Sequence, residues 1–472
     1  MSDDTQKVPL REKIGYGFGD LASVLFWQTI MVYLLYFYTD VFGLPAKAAG
    51  VMLLISRLSD AIFDVVIGMT ADRTRSRWGK FRPYLLWGAV PLAVSAVLAF
   101  STPDFSDAGK LVYAYITFIA FMFLYSTVNI PYTALLGVIS GDPVERADAA
   151  TSKFIGAFTA GIIVSATALP LAKYFGQGND AKGWHMTMII YAAAAVVFLW
   201  ITFFGAHERV QPIAKEKTDV GRDLRDIIQN VPWLLLFVVT ILFILFVCIR
   251  LNVTTHYFKY YIREQSVTLF GTTHKYGFEV LASAFNTVGQ VVSLLGTALV
   301  PVFARLLGRK KAAVILFIVS LLCTASFYFF KPEDLVLIFV FQTIGSLAGG
   351  PISALLWIMY ADTADYSEWK TGRRATGLVF SASIMSNKLG WAVGSMVAAF
   401  ILAQTGFVAN VVQNANVLLG LKAMMSILPA AVGTVALLIL MLFYKLDEQT
   451  MAKVKAALDE RRKAGGQAVA AA

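Results

Sequence analysis

Apolar blocks of roughly 20 residues, each long enough to cross a bilayer as a helix, recur along the whole chain. They fall near 18–40, 47–70, 83–101, 111–139, 152–173, 184–205, 232–254, 278–304, 310–330, 335–361, 376–404 and 417–444. The pattern predicts an all-α integral membrane protein with about twelve transmembrane helices. Short segments of alternating polarity, the mark of a membrane β-barrel, do not occur.

The longest polar interval inside the chain, His207 to Asn230, follows the sixth block. It divides the protein into a six-helix bundle over 1–205, a central loop over 206–231, a second six-helix bundle over 232–444 and a tail over 445–472. "DRTRSRWGKFRP" (72–83) follows the second helix and "RLLGRKKA" (305–312) follows the eighth. Basic, glycine-containing links at matching places in the two halves suggest an internal duplication. The loop between the tenth and eleventh helices, "ADTADYSEWKTGRRATG" (361–377), mixes acids with bases. It reads either as a solvated, salt-bridged loop or as a gate that docks on neighbouring helix ends. The tail starts as a charged, helix-compatible stretch and ends in "GGQAVAAA", which is expected to be disordered.

Composition agrees with the block pattern. The 472 residues are 58% hydrophobic and 15% charged, where soluble domains are about 45–50% apolar and about 25% charged. The formal charge of +10 raises the question of nucleic acid, and the placement of the charges answers it. Most of the 40 Lys and Arg residues lie in the N-terminal stretch, in the links after every second helix, in the central loop and in the tail. This asymmetry predicts a multi-pass protein of the inner membrane with both termini and the 206–231 loop cytoplasmic. Nucleic acid is not an expected partner; the lipid bilayer is. Cys248 and Cys323 both lie in predicted helices, which argues against a disulfide framework or a metal site. Residues 1–15 are polar and charged, without the pattern of a cleavable signal.

The chemistry sits in charges placed within apolar blocks. In "RLSDAIFDVV" (57–66), Arg57, Asp60 and Asp64 fall at i, i+3 and i+7 and project from one helical stripe. A charge facing lipid at mid-membrane costs roughly 2.5–3.5 kcal/mol on insertion scales, so the stripe faces protein or water. An Arg57–Asp60 ion pair that locks helix packing is one reading, but it leaves the second carboxylate uncompensated. Asp20, in "YGFGDLASVLFWQ", is either a helix cap at the interface or a third member of the group. Lys388, in "SASIMSNKLGWAVG", is buried in the eleventh block, and Asp20, Asp60 and Asp64 are its natural partners. Carboxylates that a lysine, a cation or a proton can neutralise in turn suit a carrier that couples an ion to a solute.

Helix four supplies a different surface. Tyr125, Ser126, Asn129, Tyr132 and Thr133 share a face, and uncharged polar groups beside aromatic rings suit a sugar. The alternative is ordinary helix packing through small polar residues. Arg250 and Asn252, ahead of "HYFKYY", repeat the mixture in the second half, with Trp27 and Trp391 as candidate stacking rings.

The chain resembles the glycoside–pentoside–hexuronide:cation symporters, the melibiose permease family of the major facilitator superfamily. The resemblance rests on "GYGFGDLA" (15–22), "RLSDAIFD" (57–64), "DRTRSRWGKFRPYLL" (72–86), "NIPYTAL" (129–135), "YFKYY" (257–261), "ADTADYSEWKTGRRATG" (361–377) and "NKLG" (387–390). It implies a major facilitator fold in which Asp60 and Asp64, with Ser126, form the cation site. Asp20 becomes an acceptor for sugar hydroxyls, Lys388 links the two sites, and Lys153 stands where the family commonly has an arginine near the sugar. With these go Tyr125, Asn129, Thr133 and Arg250 as substrate residues, and Arg57, Asp362, Asp365 and Arg373 as coupling or gating residues. Two departures matter. Phe63 stands where the melibiose permeases have an asparagine of the sodium site, and a phenyl ring offers a hard cation no oxygen. The helix-four aspartate is here Asn129, and the tryptophan expected after it is Thr133. The reading is therefore a cation-coupled symporter, proton favoured over sodium, of a glycoside, oligosaccharide or sugar acid by alternating access. It is expected to be monomeric, with no cofactor beyond the coupling ion and no catalytic activity. A lipid or lysolipid carrier and a non-transporting sugar sensor are the alternatives. The four scattered histidines show no metalloenzyme spacing.

Overall fold

The computed structural model describes residues 7–210, 229–269, 272–371 and 376–470. In the first half, α1 (Leu10–Tyr36) widens into a π-helical turn, Phe37–Val41. It is followed by α2 (Ala46–Arg73), α3 (Arg82–Ala99), α4 (Asp107–Leu135), α5 (Pro143–Gly176) and α6 (Asp180–Gly205). In the second half, α7 (Val231–His256) ends in a second π-helical turn, Tyr257–Ile262, and a hairpin of β1 (Gln265–Leu269) and β2 (Thr272–Tyr276). Then come α8 (Phe278–Ala298), α9 (Val300–Leu307), α10 (Arg309–Ser326), α11 (Leu335–Thr371), α12 (Thr376–Gln404), α13 (Ala415–Met425), α14 (Ile427–Leu442) and α15 (Glu448–Ala470).

Helix starts follow local chemistry. Ser106, Asp142, Asn179, Asn230 and Asn414 each accept a first-turn backbone N–H on their side-chain oxygen, satisfying donors that a helix leaves open. Breaks follow proline. The eighth apolar block divides at Leu299 ahead of Pro301, and the twelfth at Ser426 ahead of Pro429. Each proline lacks the N–H that a continuing helix needs and sits comfortably in a first turn.

Ten helical runs, with α13 and α14 taken together, are long and apolar enough to cross a membrane. The segments α2 and α10 miss that measure because of charge, Arg57, Asp60 and Asp64 in one and Arg309, Lys310 and Lys311 in the other. With these two, every apolar block of the sequence has its helix. Large side chains on the outside of the array are apolar as well, among them Ile62, Val94 and Leu295. Such a surface is stable against lipid rather than water.

Within the first half α1 packs on α5 and α6, α3 on α4 and α6, and α2 on α4. Within the second, α7 packs on α12 and α14, and α11 on α8 and α10. The halves meet through α1 with α7, α2 with α12 and α5 with α8. Advancing each member by six spans turns the second pair into the third, and the first into itself, as a pseudo-twofold axis requires. The α1–α5 and α7–α12 crossings match in kind too. A Cβ on Gly156 would stand 2.2 Å from the Gly17 carbonyl oxygen, and one on Gly390 would stand 2.6 Å from the Ile244 Cβ. Only glycine lets these backbones come so close.

Two expectations are corrected. Residues 361–371 are the end of α11 rather than a loop. The tail, expected to lose order at "GGQAVAAA", is helical to Ala470.

Candidate functional site

Hydrogen bonds and ion pairs join the two halves at two levels. At mid-membrane, α2 presents Asp60 and Asp64 on one stripe toward Lys388 of α12. The Lys388 ammonium lies 2.9 Å from Asp60 Oδ2 and also pairs with Asp64 Oδ2. Ser126 of α4 closes the group from the other side, its Oγ 2.6 Å from Asp60 Oδ1 and 2.8 Å from Asp64 Oδ1. A hydroxyl carries one hydrogen and can donate to only one of them at a time. The arrangement therefore has room for one more proton, on a carboxyl that would then donate to the serine. Asp60 is buried, while the side chains of Asp64 and Lys388 keep 22% and 29% of their exposure.

Arg57 shares the stripe but not the cluster. The alternative reading, an Arg57–Asp60 ion pair, does not form. Its Nη2 donates to Met31 Sδ at 3.3 Å, its guanidinium lies 5.0 Å from the Trp27 ring, and its Nε has no partner. Trp27 in turn stacks on Tyr125 at 5.6 Å. Asp20 stands three turns inside α1, whose N-cap is Pro9, so the helix-cap reading is overturned. Asp20 faces Lys153 of α5 at 4.0 Å, not Lys388, and that ammonium lies 5.5 Å from the Tyr132 ring.

The helix-four stripe divides. Tyr125 and Ser126 reach the centre, Asn129 is half-buried, and Thr133 is exposed. Tyr132 is fully buried and donates to the Tyr16 carbonyl at 2.9 Å. A central cavity of about 370 Å³ opens instead mostly among second-half helices, lined by Trp27, Gln28, Arg250, Asn286, Gln342 and Trp391 among others. Of the expected substrate residues only Arg250 lines it; Asp20, Tyr125, Asn129, Thr133, Lys153 and Lys388 do not. Asn252 turns back onto its own helix, donating to the Cys248 carbonyl at 2.9 Å.

At the end of the spans away from the termini lies a second cluster, which the sequence reading missed. Asp40, in the π-helical turn after α1, accepts from Lys259 at 2.9 Å and from the Tyr260 hydroxyl. His256 Nε2 lies 3.1 Å from the other carboxylate oxygen and 2.9 Å from Thr39 Oγ1. Asn410, after α12, donates to the Asp40 carbonyl at 2.7 Å and accepts from Lys259 at 2.7 Å. The side chains of Asp40 and His256 have no exposure. A signal did exist: opposite charges end the first and seventh apolar blocks, at equivalent places in the two halves.

On the terminus side, Asp362 pairs with Arg309 at 2.5 Å, and Arg309 also pairs with Glu448 at 3.0 Å, tying α11 to the starts of α10 and α15. Asp365 is half-buried nearby in sequence, and Arg373 lies outside the described residues.

Residues 15–448 match the family model described as MFS/sugar transport protein. The chain belongs to that family. It is a multi-pass membrane transporter and not an enzyme. The transporter is 35% identical over 456 residues to the inner membrane symporter YicJ of Escherichia coli (strain K12), covering 95% of each chain. It is 34% identical to the putative glycoside/cation symporter YagG of the same organism, covering 98% of each. Among solved structures it is similar to a bacterial homologue of the human lysosomal transporter Spinster, with a TM-score of 0.66, 13% identity, and coverage of 94% of this chain and 97% of that one. At that identity the likeness concerns the fold alone.

Proposed function

We propose that this transporter moves a sugar derivative together with a cation, by alternating exposure of the central cavity to the two sides of the membrane. The observation that carries the reading is the tie between halves, in which one lysine holds two carboxylates that share one serine hydroxyl. A proton added to Asp64 removes one of the two attractions on Lys388 and makes that carboxyl a donor to Ser126. The α2–α12 contact then loses part of its grip, so proton binding and relative movement of the halves share one free-energy term. The proton is favoured over sodium because Phe63, packed edge-on against Phe123 with ring centroids 5.2 Å apart, brings no oxygen to the cluster. Trp27 and Trp391 line the cavity as aromatic contacts for a sugar. The names of the relatives, a symporter and a putative glycoside/cation symporter, agree with this class. On the distribution of basic residues both termini are taken as cytoplasmic, with the Asp40 cluster on the outer side. The protein works as a monomer on this reading.

The test is uptake of a glycoside panel into vesicles, with pH and sodium gradients imposed separately. Uphill uptake driven by the pH gradient, and lost in Asp64→Asn while downhill exchange persists, is the expected result. Full gradient-driven accumulation by Asp64→Asn overturns it.

A further inference from the structure

Away from the coupling cluster and the central cavity, a notch of about 550 Å³ opens on the outside of the helix array where α1 crosses α6. On α6, Val197, Trp200, Ile201 and Phe204 stand at i, i+3, i+4 and i+7 and form one wall. All four are exposed, from 38% at Trp200 and Ile201 to 68% at Phe204, an apolar surface that is stable against lipid chains rather than water. The floor is bare backbone. A Cβ on Gly15 would stand 3.3 Å from the Gly205 Cα, so the two helices meet there without side chains between them. From Val197 to Gly205 the notch follows α6 for about 12 Å. Trp200 is held in place, its indole N–H donating to the Leu86 carbonyl at 3.3 Å.

The mouth of the notch, at the terminus-side ends of both helices, is polar and lined by Arg11, Glu12 and His207. The acids around it are already engaged. Glu12 is buried and accepts from Arg209 on both oxygens at 2.9 Å, with His207 Nδ1 3.5 Å from one of them. Glu145 and Asp148 hold Lys13, and Glu208 accepts from the backbone N–H groups of Lys80, Phe81 and Arg82. Arg11 is exposed, and among the described residues no carboxylate pairs with it. The mouth thus carries a positive charge without a counterpart, set above an apolar slot. A phospholipid has the complementary build, a phosphate at the membrane surface and chains running below it. A guanidinium meets a phosphate through two N–H groups at once. A zwitterionic headgroup would bring a second cation beside Arg11, with no free carboxylate at the mouth to receive it. A headgroup of net negative charge brings none.

We propose that Arg11 and the α1–α6 notch form a site for an anionic phospholipid of the leaflet on the terminus side. The phosphate sits on Arg11, and one acyl chain runs along Val197, Ile201 and Phe204 over the Gly15–Gly205 floor. The site stands apart from the symport reading and needs neither the coupling ion nor the solute. Its lipid braces α1 against α6 at a crossing where the facing glycines give each helix no side chain to grip.

The test reads Trp200. The full-length protein is reconstituted in vesicles of phosphatidylcholine with brominated chains, which quench tryptophans that touch lipid. The difference between the wild type and Trp200→Phe isolates the signal of the notch. Unbrominated dioleoyl-phosphatidylglycerol or dioleoyl-phosphatidylcholine is then mixed into the vesicles. Phosphatidylglycerol should relieve the Trp200 quenching at about a fivefold lower fraction than phosphatidylcholine, the scale of one basic residue near an anionic surface. Arg11→Gln should bring the two lipids to within about twofold of each other, and Arg11→Lys should keep part of the preference. If Arg11→Gln does not reconstitute, about 0.5 M salt serves in its place and should narrow the ratio in the same way. Equal relief by the two lipids in the wild type overturns the site. So does a preference that Arg11→Gln leaves untouched, or a Trp200 signal that brominated lipid does not quench.

Discussion

The two levels at which the halves touch are built from similar residues and behave differently. At the end away from the termini, Asp40 accepts from Lys259 and Tyr260, lies against His256 and has its carbonyl capped by Asn410, and the Asp40 and His256 side chains have no exposure. At mid-membrane, Asp60 and Asp64 share one lysine and one serine hydroxyl, and Asp64 and Lys388 remain partly open. In the first cluster the carboxylate is saturated with donors, while the buried Nδ1 of His256 has no partner. The second is one donor short. A saturated buried network resists change, whereas an under-supplied one invites a proton. On the proposed function, the first cluster holds the halves together and the second couples the ion.

Several substitutions can break or sharpen that contrast. Asp40→Ala leaves the buried His256 and the partly buried Lys259 opposite no carboxylate. Loss of one partner from a buried ionic network costs about 3–5 kcal/mol, so the melting temperature in detergent should fall by several degrees; an unchanged melt would mean that the cluster is not a clasp. Asp64→Asn should lower the melt less, since Asp60 still holds Lys388, but should reduce gradient-driven accumulation by about tenfold or more, within the usual range of coupling between sites. A variant pair with these two effects exchanged would erase the distinction. Ser126→Ala removes the shared hydroxyl and leaves both carboxylates to Lys388. A change of about 1 kcal/mol in the protonation step should move the pH midpoint of uptake by somewhat under one unit, read from initial rates.

The smallest effect is expected outside the membrane. The hydrogen bonds from Arg309 hold the Glu448 carboxyl below the usual glutamate range, against the opposing effect of partial burial. A carboxyl lowered by folding contributes stability above its unfolded value, near pH 4.3, and loses it as pH falls through the folded value. Glu448 keeps half its exposure, so solvent screening limits the contribution to below about 1 kcal/mol. Glu448→Gln should lower the melt slightly at pH 7 and hardly at all below pH 4.

Much of the fold was legible because the bilayer imposes one length on every helix. The π-helical turns and the hairpin at 265–276 were not: the turns are small changes of pitch at the ends of apolar helices, and the hairpin occupies a short polar interval where period says nothing. Within the site, Asp60, Asp64 and Lys388 could be grouped because charges in apolar blocks need partners. Which partner each takes depends on helix rotation, and this is why Arg57 turned to Met31 and Trp27, and Asp20 to Lys153. The cavity's amides escaped notice for a different reason. Asn286, Gln28 and Gln342 are single polar residues spread over three helices, ordinary in sequence and notable only once they line the same space.

The wide turn at Phe37–Val41 has a mechanical corollary. A helix advances about 100° per residue, so deleting one residue there would swing Asp40 off His256 and Lys259 while leaving every side chain of α1 before it in place. The same deletion at Tyr257–Ile262 would unhook the bolt from its opposite leaf. Each half therefore carries its own latch length, set by a single surplus residue, and trimming either one should leave a door that can no longer be shut.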